Sequence, residues 1–336
     1  MARNPGPFVA WSQYLAARTA AATLTAFDVE ANLRAAAQLG RALHAIDGRH
    51  RDRARHSIAL SFPEWDAATV NHVTERSFQH FVQLAVEVLH TPRTINLATW
   101  SHHLKLNDLA RAIEVLNRGQ GAVMVTGHLG NWEVLGYSMA LLGYDVDAIA
   151  RPIDNPLIND WLLGIRQRRG MRIITKWNAT DRMMRVLREG GALGFIADQN
   201  AGSKGMFVPF FGRLASTYKS IGLLAMRKQV PIVCGFAHRI GTGYRYEIGV
   251  ADVIEPSDWA DRRDPLFYIT ARYSRAIESM IRAHPQQYLW MHRRWKSRPR
   301  HEREGKPMPA SLRRNLEDLP WMTDDLMKRL EIPPPP

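Results

Sequence analysis

A histidine and a carboxylate stand five positions apart in His128-Leu129-Gly130-Asn131-Trp132-Glu133. Histidine, with an ordinary pKa of about 6.5, suits proton transfer at neutral pH, and an adjacent carboxylate can orient its ring and stabilise the imidazolium. The spacing restricts how the two can meet. On one continuous helix, residues i and i+5 point about 140° apart, so they can share a proton only if His128 lies in a turn and Glu133 in the helical turn that follows. The surrounding residues allow this. The apolar run 121–127 reads as a buried strand, Gly127 and Gly130 permit a turn, Asn131 is a suitable N-cap, and 132–142 reads as a helix. A base at the mouth of such a strand–turn–helix is placed to activate the hydroxyl of a bound substrate. A hydrogen-bonded structural histidine fits the same residues and is the alternative.

Other chemistries have little support. There is no His-Glu-x-x-His motif, and the single cysteine, Cys234, excludes disulfide frameworks and thiolate zinc clusters. Cys234 lies in the apolar stretch 231–236, where a core role is expected. No Gly-x-Ser-x-Gly elbow is present, so covalent serine chemistry is not expected. Neither metal nor cofactor is called for.

The elements that must position these residues alternate between helix and strand. Helices are expected over 28–43 and 64–89, with 91–116 helical or irregular. Strands follow at 121–127, 144–150, 171–175, 192–197, 232–237 and 244–250, with helices at 159–169, 179–189, 217–228 and 264–283 between or after them. The expected fold class is α/β: a mostly parallel central sheet flanked by helices, with a helical N-terminal region. The predicted divisions are a helical region (1–115) packed on the core, an α/β core (116–305) and a loosely held tail (306–336) ending in a proline run. His128, Arg151 and Asp198 each follow an apolar strand directly. In a parallel sheet those ends share one edge, where ligands bind in open α/β folds.

Further stretches carry a resemblance. The His128–Glu133 box resembles the His-x4-Asp/Glu (HX4E-type) motif of the lysophospholipid acyltransferase superfamily, in the form found in the late (lauroyl/myristoyl) acyltransferases of lipid A biosynthesis. Ala150-Arg151-Pro152 matches that branch. So do Ala197-Asp198-Gln199-Asn200 leading to Phe207-Val208-Pro209-Phe210-Phe211-Gly212, and Trp290-Met291-His292-Arg293-Arg294-Trp295-Lys296. Upstream, 57–64 resembles the branch's Asn-Leu…Phe-Pro-Glu signature with Ala59-Leu60 in place of Asn-Leu. The likeness covers roughly residues 30 to 300, and four boxes in order make it specific.

The resemblance implies a glycerol-3-phosphate acyltransferase-like fold and transfer of a fatty acyl chain from a thioester, on acyl carrier protein or coenzyme A, to a hydroxyl of a membrane glycolipid, foremost a lipid A precursor. His128 would be the general base and Glu133 would orient it. Amides near Gly130 and Asn131 would help to stabilise the oxyanion. Arg151 offers a fork for a phosphate, or a strand-end salt bridge. Asp198 and Gln199 would position a sugar hydroxyl or Arg151, or form a structural turn. Arg293, Arg294 and Lys296 would face phosphates or carrier, or make a solvated strand end. Phe207, Phe210 and Phe211 belong either to the core or to an acyl tunnel. The alternatives in function are another glycolipid, aminolipid or glycerolipid acceptor, or a non-catalytic lipid-binding protein; the phosphatidylinositol mannoside branch looks similar around the His box.

Charge agrees with such partners. The 336-residue chain carries 45 Lys+Arg against 32 Asp+Glu, a net charge of +13. The basic stretches are 49–56, 166–172 and 293–303. They suit an anionic membrane surface or an acidic carrier, whereas no zinc finger, RNP box or Walker loop supports nucleic acid. The N-terminal stretch 9–27 contains Ser12, Gln13, Arg18, Thr19, Thr23 and Thr25 and is too polar for a spanning helix. Many acyltransferases of the branch begin with such a helix, so this is a departure. Peripheral attachment to the cytoplasmic face of the inner membrane is expected instead, through Phe8, Trp11, Tyr14 and Leu15, unless those four pack on the core.

Overall fold

The computed structural model describes residues 6–150, 152–167, 172–174 and 179–331. Five helices come first: α1 (Pro7–Ala26), α2 (Val29–Ile46), α3 (Gly48–Ser61), α4 (Ala67–Thr94) and the single turn α5 (Trp100–His103). The alternating part follows as β1 (Leu104–Asn107), α6 (Ala110–Asn117), β2 (Ala122–Thr126), α7 (Trp132–Leu141), β3 (Val146–Ile149), α8 (Pro156–Gln167), β4 (Arg172–Ile174), α9 (Ala179–Arg188) and β5 (Ala192–Ile196). Then come β6 (Met206–Phe210), β7 (Arg213–Thr217), α10 (Ser220–Lys228), β8 (Ile232–Arg239), β9 (Tyr246–Ile254), α11 (Pro265–Ala283), α12 (Arg300–Arg303), α13 (Ala310–Glu317) and α14 (Asp324–Glu331). Several helices begin where a short side chain can accept the amide three residues on. Asp28, Asp47, Asp66, Asn131 and Asp264 all do so.

Seven strands form one sheet in the order β1-β9-β8-β2-β5-β3-β4, and β6 pairs with β7 in a separate hairpin. Among the described strand pairs of the large sheet, β8–β9 is antiparallel and the others are parallel. The fold is thus the expected α/β type. The central strands β2, β5 and β8 are apolar because both faces of the sheet are covered; Val123, Leu193, Ile232 and Val233 are wholly buried.

The helical N-terminal region packs through α2 and α4. A Cβ at Gly40 would lie 2.4 Å from the Gln79 Cα, so glycine sets how closely these helices approach. No described helix is long and apolar enough to cross a membrane.

Two expectations change. The stretch 91–116 holds β1, a short edge strand paired parallel to β9 with three of its four residues exposed, and the alternation of Leu104 and Leu106 over four residues is too short to read as a strand. Residues 306–331 of the C-terminal stretch are no loose tail, and 332–336 lie outside the described residues. Leu316, Leu319, Met327 and Leu330 of the α13–α14 region are buried in the main core, and Asn315 donates to Asp264 at the start of α11. Four apolar anchors widely spaced in a charged segment gave too weak a periodicity to read.

Candidate active site

Parallel pairing puts Thr126, the last residue of β2, beside Ile196, the last residue of β5. His128 and Asp198 lie two positions beyond those partners, so the chain emerges from the sheet with the two side by side. The His128 Nδ1–H donates to Asp198 Oδ1 at 2.8 Å. The carboxylate is almost wholly buried, and the ring keeps 19% of its side-chain surface exposed. Because a carboxylate only accepts, Nδ1 must carry the proton, and Nε2 is left as the basic nitrogen. Nε2 faces the Gln199 side-chain amide at 3.4 Å. The Trp132 ring meets the imidazole edge to face at 5.0 Å.

The electrostatics follow from burial and pairing. Burial by itself would depress the His128 pKa, but the Asp198 charge and hydrogen bond outweigh it, with a smaller push from Glu133, and the net shift is upward. Burial would raise the Asp198 carboxyl; the His128 ring and the His128 backbone amide outweigh that and hold it below its usual range. A neutral imidazole poised above its ordinary pKa is a competent general base.

The sequence paired His128 with Glu133, and the structure corrects that geometry. The carboxylate on Nδ1 is Asp198. Glu133 lies in the first turn of α7, faces the same cavity and adds negative charge nearby. The expected oxyanion donors are also placed differently. The Gly130 amide donates to Gln287 O at 2.8 Å and the Asn131 amide to Ala237 O at 2.7 Å, so neither is directed at substrate. These two residues build the turn instead. Gly130 has φ +54°, and a Cβ there would lie 2.1 Å from Ala237 O. The buried Asn131 caps α7 through Val134 N and donates to Glu87 Oε2 at 2.7 Å.

Beneath the turn lies a buried polar network that the sequence did not suggest. Glu87 Oε1 and Arg239 Nη1 are 3.0 Å apart, with side chains 0% and 6% exposed. Arg239 Nη2 donates to His80 Nδ1, and His80 Nε2–H donates to Gly130 O at 3.0 Å. Burial, then the Arg239 charge, push the His80 pKa down to about 3, so His80 is neutral and can play both parts. On the other side, Leu289 N donates to His128 O at 3.0 Å. The base is therefore fixed from its ring, its carbonyl and the turn that follows it. The polar residues His80, Gln83 and Glu87, three and four apart on the buried side of α4, are the one hint of this in the sequence.

The remaining candidates separate. Arg294 is 2% exposed and does not meet solvent; it donates to Ser216 O, to Thr217 Oγ1 at 2.6 Å and, at a longer 3.4 Å, to Gln199 O, so it braces the loop that carries Asp198 and Gln199. Arg293 points outward. Arg151 lies outside the described residues, as does much of the basic stretch 166–172. Phe210 and Phe211 are wholly buried, Phe207 packs against the core that contains them, and none of the three lines the cavity. Phe8, Trp11 and Leu15 are 86%, 54% and 57% exposed, so they do not pack on the core.

His128 opens into a cavity of about 730 Å³. It runs along the sheet under α6 and α7, from Thr126, Ile149 and Ile196 at the ends of their strands to Val146 at the start of β3, Tyr144 just before it and Leu116 in the last turn of α6. At about 3.3 Å per residue, five-residue β2 spans roughly 16 Å of that length. The floor includes Gly194 and Gly235, where missing side chains leave room, and the walls are mostly aliphatic. Polar groups gather at the His128 end. Such a cavity suits a long hydrocarbon whose reactive head lies against the imidazole.

Comparison with known proteins shows the family to which the chain belongs. The sequence profile of the family described as "Bacterial lipid A biosynthesis acyltransferase" matches residues 9–297. The "Lipid A biosynthesis palmitoleoyltransferase" of Escherichia coli (strain K12) is 28% identical over 254 residues, covering 73% of this chain and 78% of the relative. The "Lipid A biosynthesis myristoyltransferase" of the same organism is 23% identical over 273 residues, covering 78% and 80%. A "Lipid A biosynthesis acyltransferase" of Haemophilus influenzae (strain ATCC 51907 / DSM 11121 / KW20 / Rd) is 23% identical over 248 residues, covering 72% and 74%. The chain belongs to this family and is an acyltransferase.

Proposed function

We propose that this member of the lipid A acyltransferase family moves a fatty acyl chain from a thioester to a hydroxyl of a lipid A precursor, with His128 as general base. The observation that carries this reading is the His128–Asp198 pair opening at the polar end of an aliphatic cavity. The acyl chain fills the cavity and presents its thioester carbonyl at Nε2. The acceptor hydroxyl, on the solvent side, gives its proton to Nε2 as its oxygen attacks that carbonyl. The imidazolium, stabilised by Asp198 and by the nearby Glu133 charge, returns the proton to the departing thiolate. No covalent enzyme intermediate is needed. The Gln199 amide, beside Nε2, takes the oxyanion role that the Gly130 and Asn131 amides do not fill. Arg151 remains a proposed phosphate ligand.

The acceptor has lipid tails and stays in a bilayer, so the enzyme must go to it. The exposed apolar residues of α1 and the net charge of +13 support peripheral attachment to an anionic leaflet, which we place at the cytoplasmic face of the inner membrane. The donor is acyl carrier protein or coenzyme A.

The test is direct. Purified protein is given acyl carrier protein or coenzyme A thioesters and a lipid A precursor, and products are read by mass spectrometry. One added acyl chain on the precursor, absent with His128→Ala, is expected. Parental activity in the His128→Ala protein would overturn the mechanism, and no product with either donor would overturn the substrate assignment.

A further inference from the structure

We propose that Arg49, Arg53 and Arg293 form a subsite that grips a phosphate of the acyl acceptor; this rests on the acyltransferase reading above. Arg49 and Arg53 are four residues apart on α3 and therefore share a face, one turn from each other. Arg53 Nη1 donates to Met291 O at 3.1 Å, which lays that face against the segment leading to Arg293. In that segment neighbouring side chains take opposite directions: Arg294 turns inward to brace the Gln199 loop, while Arg293 stays in solvent. Between Arg53 and the base stands His292, whose Nε2 accepts the Asn200 amide at 3.2 Å. Asn200 follows Gln199, the residue facing His128 Nε2. A polar strip of neutral groups, Gln199, Asn200 and His292, thus begins beside the general base and ends at three guanidinium groups.

The three arginines lack an ion-pair partner among the described residues, although many other arginines have one. Arg51 is matched with Asp52, Arg298 with Glu302, and Arg300 with Glu304. The nearby Asp47 caps α3 and holds His50 at 2.7 Å. Burial, then the Arg293 and Arg49 charges, depress the Arg53 guanidinium, as mutual repulsion requires. Like charges gathered at one place disfavour the fold slightly, and an anion relieves them. Forked guanidinium groups are suited to phosphate oxygens in a way that ammonium groups are not.

Position favours the acceptor over the donor. The wall of the hydrocarbon cavity includes no residue of α3 or of the segment 288–299, so the strip leaves His128 on the side away from the acyl chain. A glycolipid hydroxyl at Nε2 with its phosphate on the arginines would lie between the two.

The test is co-sedimentation with phosphatidylcholine vesicles carrying a monophosphorylated glycolipid, or the same glycolipid with its phosphate removed. The parental protein should bind the phosphorylated vesicles about tenfold more tightly, as expected of charge-assisted contacts, and both Arg53→Gln and Arg293→Gln should abolish the difference. The Arg293 side chain makes no hydrogen bond or ion pair among the described residues, so its variant remains informative if Arg53→Gln folds poorly. In acyl transfer, the acceptor KM should rise about tenfold in both variants with kcat little changed. Equal binding of the two vesicles by the parental protein overturns the proposal. A rise confined to the KM of the acyl carrier protein donor also overturns it, since the strip would then be a carrier surface. Phosphate-dependent binding without any acyl transfer by the parental protein would leave this site standing and remove the proposed reaction.

Discussion

His128 Nδ1 and Asp198 Oδ1 lie 2.8 Å apart, although 70 positions separate the two residues in the chain. Asp198→Asn should preserve the shape of this contact while offering the wrong donor and removing the charge that stabilises imidazolium. Transfer should fall by about 10²–10⁴-fold, and the His128→Ala Asp198→Asn double variant should be little worse than His128→Ala. Glu133→Gln should cost less than Asp198→Asn, because Asp198 holds the ring. Steady-state kinetics on the four variants decide this; Glu133→Gln more damaging than Asp198→Asn would return the orienting role to Glu133.

The raised His128 pKa sets the acid limb of the pH profile. Activity needs the neutral ring, so it should rise with pH through a midpoint above the ordinary histidine value, and that midpoint should move down in Asp198→Asn. Stability behaves in the opposite sense. The folded state holds the His128 proton more tightly than the unfolded chain, so this stabilisation is present at low pH and fades as pH climbs through the folded pKa. Asp198, held below its unfolded value, stabilises at higher pH and loses that effect as pH falls through its folded pKa. The pair contributes most between those two values. Titration of kcat and of thermal unfolding over the same pH range should show the two trends.

Glu87→Ala should be severe away from the chemistry. It removes the partner of the buried Arg239 and the acceptor of the Asn131 side chain together, and breaking a buried pair costs about 3–5 kcal/mol. Urea unfolding would measure it. A loss below about 1 kcal/mol, the range of exposed pairs, would mean the network is solvated.

Gly235 should tune chain length. It lines the cavity, and a Cβ there would meet only Gly249 O at 3.4 Å, so Gly235→Val should fold while its methyl groups occupy hydrocarbon space. Competition between thioesters of different length should shift toward shorter chains. An unchanged preference would place the acyl chain elsewhere.

Phe8, Trp11 and Leu15 should hold the protein on bilayers. A combined Phe8→Ser, Trp11→Ser and Leu15→Ser variant should lose vesicle binding, since each buried large apolar side chain contributes about 1.5–3 kcal/mol. High salt should weaken the parental protein's binding to anionic vesicles. Retention in membranes after alkaline carbonate washing would instead show insertion of α1.

Much of this protein could be read from residues close together in sequence. The strand–turn–helix around His128 needed only an apolar run, glycines at 127 and 130, and Asn131 as cap, because each acts on backbone within a few positions. The order of apolar strands and amphipathic helices implied a mostly parallel sheet. Spacing also made Glu133 the evident partner of His128, since proximity in sequence was the only geometric guide. Tertiary structure decided otherwise. Parallel pairing of β2 with β5 ends both strands in register, and that register, invisible in either segment alone, delivers Asp198 to Nδ1. The Glu87–Arg239–His80 network, the bracing by Arg294 and the burial of the C-terminal helices have the same origin. Each joins segments far apart in the chain, and a buried polar side chain reveals its partner only when packing has removed the water that would otherwise satisfy it.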